Sequence, residues 1–486
     1  MPTTTPRAEA RLESNDFDAS GLQVHRVLGR EAISQLYRFE IDFVSLDRAP
    51  LPLRDLAGAE ATLVFEAEGE EPRRIHGMIA EATDLLTSEP GYRSYRVVLV
   101  PRMHRLALVE FQEVFLRQSV PAVIAQKLEL VGLGGSDVET RFVDAYPERE
   151  IVVEYKETDL AFVSRLAEHL GISFFFLDHD GRDRVVFTDH DGGFGAAREE
   201  GKVPFRARGE RSSVYALEET SRVMPKNFVV TDYNYTTPRL DVSGRHASPR
   251  GFAGGVVEYA ANAPTPGECK KLAEIRAQER AALHNYFQGE STLFAFHAGL
   301  RFQLEGHPGL DGDKDLLLVE VTHHFSQPVA LHGARSEGGY HNTFRAVAAG
   351  SAYRPPRVTP KPRIFGLLTA VVEPRKEGVG KHADVDEVGR YTVRFHFDLT
   401  PLGERQRSSA PVRMIQPHAG TGYGIHFPLH PGVEVAIAFE DGDPDRPLIV
   451  GAVPNAVTAS PVTRANAGMS RIQTATGIRI TIRDHL

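Results

Sequence analysis

The side chains able to do chemistry in this 486-residue chain fall into a few short groups. His323 and His324 are adjacent, and His418, His426 and His430 flank a glycine-rich loop. Asp311, Asp313 and Asp315 alternate as the start of a calcium loop does, and Asp441, Asp443 and Asp445 repeat that spacing. Each falls short of a site. Neighbouring strand residues point to opposite faces, so two adjacent histidines do not share an ion. A calcium loop needs Gly at its sixth position and Glu at its twelfth. The first aspartate run has Leu316 and Thr322 there, and the second has Arg446 at the sixth, so both read as turns. The three loop histidines come with no readable set of outer partners to orient them. GVGKH at 378–382 lacks the earlier glycine of a phosphate loop and the Ser/Thr after its lysine, and neither a G-x-S-x-G elbow nor an H-E-x-x-H helix occurs. Cys269, the single cysteine, reads as a small packing residue. These patterns predict a protein with no catalytic residue, no metal and no cofactor.

The elements that hold these residues are mostly strands. From Asp16 to Pro101 the segments LQVHRVLG, LYRFEIDFVS, EATLVFEAEG, RRIHGMIAEATDLL and GYRSYRVVLVP alternate between turn signals, as in an antiparallel barrel or sandwich. A helix is predicted over 119–133, capped by Ser119 and stopped at Gly132. Residues 151–189 read as a strand, a helix capped by Thr158 and ended by Gly171, and a hairpin turning at Asp180-Gly181. Strands follow over 212–238 and a surface loop over the Gly/Ser/Pro-rich 243–255. A helix over 267–288 is predicted, with Leu272, Ile275, Leu283 and Tyr286 on one stripe.

Length suggests two to four domains, and 41% hydrophobic with 25% charged residues is ordinary for a globular chain. One cysteine excludes an internal disulfide framework, which fits folding in a reducing cytoplasm. The opening MPTTTPRAEARLES has no apolar run and predicts no signal peptide. No stretch reaches the roughly 20 apolar residues of a membrane-spanning helix. Net charge is −9, and 385–455 holds six Lys/Arg against nine Asp/Glu, the wrong balance for a nucleic-acid binder.

The clearest pattern runs from Gly389 to Asn455. GRYTVRFHFD sets Tyr391, Val393, Phe395 and Phe397 on one face, and Val433, Val435, Ile437 and Phe439 answer them before an Asp/Gly/Pro turn and the short run Leu448 to Val450. With IFGLLTAVVE (364–373) and APVRMIQP (410–417) this predicts a small closed barrel of about five strands, since closure removes exposed edges. The ordered set Gly389-Arg390, Gln416-Pro417, Gly420 to Gly424, His426-Phe427-Pro428, Gly432 with Glu434-Val435, and Gly442-Asp443-Pro444-Asp445-Arg446-Pro447 resembles the OB-fold barrel of the VgrG family of type VI secretion spikes. The phage tail-needle hubs are its relatives. The family carries Trp near Ala410–Val412 and in the glycine loop, where this chain has His418 and Tyr423. The strand, YKETDLAFVSRL helix and aromatic hairpin of 151–189 resemble the hub shared with phage late-control proteins. So does 291–328, through Gly299, Phe302, Leu304, Gly306-His307-Pro308 and Val321-Thr322-His323-His324.

The resemblance implies a mainly β fold with a few helices: a hub of two barrel-like domains, an OB-fold barrel, and the start of a triple-stranded β-helix stem. The division it implies is a disordered tail over 1–15, hub over 16–351, linker over 352–363, OB domain over 364–455, linker over 456–470 and stem over 471–486. In the family three chains begin to wind together at the stem, which assigns the stem face to Ile472, Thr474, Thr476, Ile478, Ile480 and Ile482. The implied function is structural: a homotrimeric adaptor between a hexameric tube protein (Hcp-like) and a membrane-puncturing needle. Its implied partners are a PAAR-type tip, baseplate subunits and effector proteins, and nucleic acid is not among them. It would assemble in the cytoplasm and be secreted on firing, crossing the target membrane without a transmembrane segment. Three alternatives stay open: the hub of a phage tail or extracellular injection particle, an evolved VgrG with an enzymatic cargo domain beyond residue 486, and an OB-fold nucleic-acid-binding protein.

Overall fold

The computed structural model describes residues 8–45, 50–67, 72–86, 92–196, 202–208, 212–282, 284–328, 339–350, 352–374, 382–398 and 409–483. Of GVGKH only His382 is described, and Leu283 lies outside the described residues. The chain divides into two compact units, one of residues 1–109, 124–145 and 163–360 and one of 110–123, 146–162 and 361–486.

The first unit is built on a 13-stranded sheet, counted among the described residues. Its first part runs Glu9–Glu13, Glu60–Glu66, Arg73–Asp84, Arg93–Val100, Arg38–Ser45 and Leu22–Ala32, each antiparallel to the next. Alternation turns Phe39, Ile41, Phe43, Leu63, Phe65, Tyr95 and Val97 into one core. The sheet curls until its first strand lies beside Leu22–Ala32, where the Gln327 amide donates to the carbonyls of both Ala10 and Val24. Residues 9–13, expected within a disordered tail, are thus a paired strand. Ala10 and Leu12 alternate with charged neighbours and fill the open edge of this barrel.

The long strand Lys314–Ser326 pairs with Leu22–Ala32 and begins a second ring. That ring passes through Gly339–Ala348, Asn285–Ser291 and Val214–Ser221, and on the other side through Leu300–Glu305 and Lys202–Pro204. A bridge from Phe205 to Val214 closes it around Phe287, Phe296, Phe302, Leu316 and Phe344. Two barrel-like bodies therefore share one sheet. The 243–255 segment, expected as a loop, supplies most of one strand and the start of another instead. Val242–Ala247 and Ala253–Tyr259 flank Pro225–Asp232 in a separate small sheet. Its glycines serve packing: a Cβ on Gly244 would sit 2.0 Å from the Lys270 nitrogen of the covering helix. That helix, Pro266–Ala281, is capped by Thr265 and stops seven residues earlier than its stripe suggests, because Tyr286 belongs to the strand Asn285–Ser291 of the second barrel. The predicted turn at Asp180-Gly181 is present, both residues having positive φ as a type I′ hairpin requires.

In the second unit the strands Thr392–Phe395, Leu368–Glu373, Glu434–Phe439, Pro447–Ala452 and Arg413–Met414 pair in that order. Reciprocal backbone bonds between Tyr391 and Val412 close the ring, giving the five-stranded barrel predicted. Tyr391, Val393, Phe395, Val435 and Ile437 fill it. The antiparallel strand pair Glu110–Gln118 and Arg149–Thr158, expected in the hub, belongs to this unit. Tyr155 packs edge-on to Phe397, and the Val153 N–H donates to Asp445 at 2.7 Å. The 352–363 linker is engaged separately within each unit. Arg354 donates to the Gly171 and Asp189 carbonyls, and Glu168 accepts from Val358 and Thr359. Lys361 lies 2.5 and 2.6 Å from Asp443 and Asp445.

Candidate assembly surface

The residues able to do chemistry resolve into structural roles. His323 is fully buried and His324 faces outward, as alternation requires. His323 Nε2 lies 2.9 Å from Glu31, which also pairs with Arg73, and His323 Nδ1 lies 2.6 Å from the Tyr340 hydroxyl. Asn342 donates to Tyr340 and to the Leu293 carbonyl, and its amide oxygen accepts from Ser291. Arg73 also donates to the carbonyls of Phe294 and Phe296. Burial would push the Glu31 carboxyl up, but Arg73 and His323 outweigh it and hold it down at about 2. Burial, with Arg73 nearby, pushes the His323 imidazole down to about 4. This is an acid–base set sealed from solvent. It ties five strands of the first unit together.

The aspartates of the Asp441–Asp445 turn bind the linker, Asp441 through Arg363 and the other two through Lys361. His426 lies 2.9 Å from the Tyr391 hydroxyl and 3.0 Å from Gln416, while His418 packs on the Tyr423 ring, so these imidazoles are not gathered. Among the described residues no group of three or more His, Cys, Asp or Glu is placed to hold a metal. Cys269 is buried with its sulfur near the carbonyls of Ala263 and Val242. Burial pushes its thiol up to about 11, the reverse of an activated nucleophile. A cleft of about 670 Å³ in the first unit is lined by Glu219, Arg250, His284, Asp311 and Lys314 among others, with no nucleophile set against a base.

What stands out is apolar surface left in water. In the second unit Phe365 is 89% exposed and Val457 92%, and Leu367, Val388, Ile415, Tyr423 and Phe427 are exposed as well. At its end, Met469–Gln473 and Arg479–Arg483 form an antiparallel hairpin in place of the single continuous strand expected. Thr474 and Gly477 make the turn, Gly477 in the left-handed region, and Thr476 sits within it. The register sets Ile472 opposite Ile480 and Ser470 opposite Ile482, so Ile472, Ile480 and Ile482 share one face. Thr474 and Ile478 meet at its end through a backbone bond of 2.9 Å. Ile478 is 71% exposed, and Ile472, Ile480 and Ile482 are each at least half exposed. Apolar surface gathered on one exposed face is of the kind that another chain commonly covers. The alternation of isoleucines made the strand character of this segment legible, and the glycine at 477 carried the signal for the turn.

A family model for the phage tail baseplate hub (GPD) matches residues 30–329, and one for the type VI secretion system/phage-baseplate injector OB domain matches residues 379–453. The type VI secretion system spike protein VgrG1b of Pseudomonas aeruginosa is 30% identical over 451 residues, covering 91% of this chain and 60% of that protein. Spike protein VgrG1a of the same organism is 30% identical over 451 residues, covering 90% of this chain and 68% of that protein. The chain thus spans 60 to 68% of the length of these two relatives. The structure of the E. coli c3393 protein, a type VI secretion component similar to the T4 bacteriophage tail proteins gp27 and gp5, superimposes with a TM-score of 0.68. It is 24% identical and covers 91% of this chain and all of that one. The two share a fold.

Proposed function

This chain belongs to the VgrG family of type VI secretion spike proteins, and from that membership we propose that it is the hub and spike base of a contractile injection machine, working as a homotrimer. The observation that carries the proposal is the pair of barrel-like bodies on one sheet. Three chains present six such bodies, which lets a three-fold spike stand on a six-fold ring of tube protein. The exposed faces of the OB unit and the hairpin residues Ile472, Thr474, Thr476, Ile478, Ile480 and Ile482 then meet their copies at the base of the stem. Each isoleucine taken fully from water contributes about 1.5–3 kcal/mol, so three chains gain substantially from covering that face.

The function is mechanical. Sheath contraction supplies the work, and the spike crosses the target membrane folded, which calls for a high unfolding barrier rather than a hydrophobic span. No helix among the described residues is long and apolar enough to cross a membrane. The hexameric tube protein lies below, and a PAAR-type tip, effectors and baseplate subunits complete the partners. The protein assembles in the cytoplasm and leaves it on firing. We assign no reaction to these residues. A phage or extracellular particle would use the same geometry, and the match to the phage baseplate hub favours keeping that second reading. Native mass measurement of the chain expressed with candidate tube proteins tests the proposal. Three copies bound to six of a type VI tube protein are expected. Binding only to a phage tube protein favours the second reading, and binding to neither contradicts both.

A further inference from the structure

On the solvent side of the strands Lys314–Ser326 and Gly339–Ala348, His324 stands directly opposite His341. The two imidazole planes are 11° apart with centroids 4.9 Å apart, and both residues are partly exposed. Opposed residues of an antiparallel pair have Cβ atoms about 4.5–5.5 Å apart on one face. The sheet fixes both backbones, so little further order is lost when the rings converge. We propose that His324 and His341 form a two-imidazole site for a borderline transition-metal ion of the Zn²⁺, Ni²⁺ or Cu²⁺ class, with water completing the coordination. Rotating each ring from its stacked pose brings one nitrogen of each towards a shared ion, at the usual metal–nitrogen distance of about 2.0–2.1 Å.

The surroundings of the pair carry charges of both signs. Burial, His324 and Arg208 all hold the His341 imidazole below its ordinary value, and Glu290 opposes them. Register places Arg26, Leu28 and Arg30 of the neighbouring strand, with Thr322 and Thr343, on the same face. Arg26 and Arg30 are engaged with Asp42 and Glu320, which offsets their repulsion of a cation, and Glu290 counters Arg208. With no carboxylate cage, the pair selects against Mg²⁺ and Ca²⁺, which require oxygen ligands. The ion would clip together the two strands that lie between the barrels, and His323 on the opposite face takes no part.

The test is titration of the full, tag-free chain with zinc or nickel chloride at neutral pH, followed by calorimetry and thermal unfolding. One ion per chain and an upward shift of the unfolding midpoint are expected, with no shift from magnesium or calcium. His324→Gln and His341→Gln should each weaken binding tenfold or more while leaving the metal-free midpoint unchanged, which separates loss of the site from loss of the fold. The Cu²⁺ spectrum should report two nitrogen ligands in the natural chain and one in either variant. Equal binding in the variants, or an equal response to magnesium, would overturn the proposal.

Discussion

Among single residues, the buried set around His323 has the largest consequences. Removing one member of a buried ion pair leaves a charge without its partner, so Arg73→Met should destabilise the first unit by about 3–5 kcal/mol in denaturant unfolding. Acid should act through the same residues. His323 is held down at about 4 in the folded chain, so on acidification below its ordinary value of 6.5 the unfolded chain takes up a proton before the native one. Stability is full above that value and falls as the pH drops towards 4, and the loss continues as Glu31 nears its own value of about 2. His323→Gln should flatten the upper part of that slope when unfolding midpoints are measured against pH. Cys269 offers a second check: its raised thiol and buried sulfur predict that a thiol reagent modifies it only as fast as the chain unfolds. Strand alternation made the inward turn of His323 legible. Its partners Glu31 and Arg73 lie on strands far away in the chain, and no local pattern connects them.

At the scale of elements, local signals held where turn chemistry and alternation agreed, as at Asp180-Gly181 and in the OB strands. They misled where tertiary packing decided. Gly244 lies in a stretch that composition reads as loop, yet it sits where a helix crosses a sheet strand too closely for any side chain. Gly244→Ala forces a methyl against the Lys270 backbone and should cost about 1–3 kcal/mol or more in unfolding free energy. The apolar stripe beyond Ala281 continues into a strand because Tyr286 packs with Phe175, Val186 and Tyr353 while Phe287 fills the second barrel. The first strand was hidden by its polar, Thr/Pro-rich approach, and Gln327 fastens it from the far end of the hub. Gln327→Ala should therefore raise amide exchange across Glu9–Glu13 selectively, with little change in the OB barrel.

For the whole molecule, the order hub, OB barrel and terminal β segment was legible because each carries an ordered set of motifs. The compact units cut across that order, since the 110–118 and 149–158 strands pack with Phe397 and Asp445 of the OB unit, a pairing that only folding reveals. The hairpin at 469–483 leaves four isoleucines in water, and the proposed homotrimer would cover them. The solution mass of this chain by light scattering over a range of concentrations tests the proposed homotrimer most directly. A mass of three chains that persists on dilution, and that falls to one in Ile472→Asp/Ile480→Asp with the fold retained, is the predicted result. A monomer at every concentration, or a trimer indifferent to those substitutions, would contradict the account.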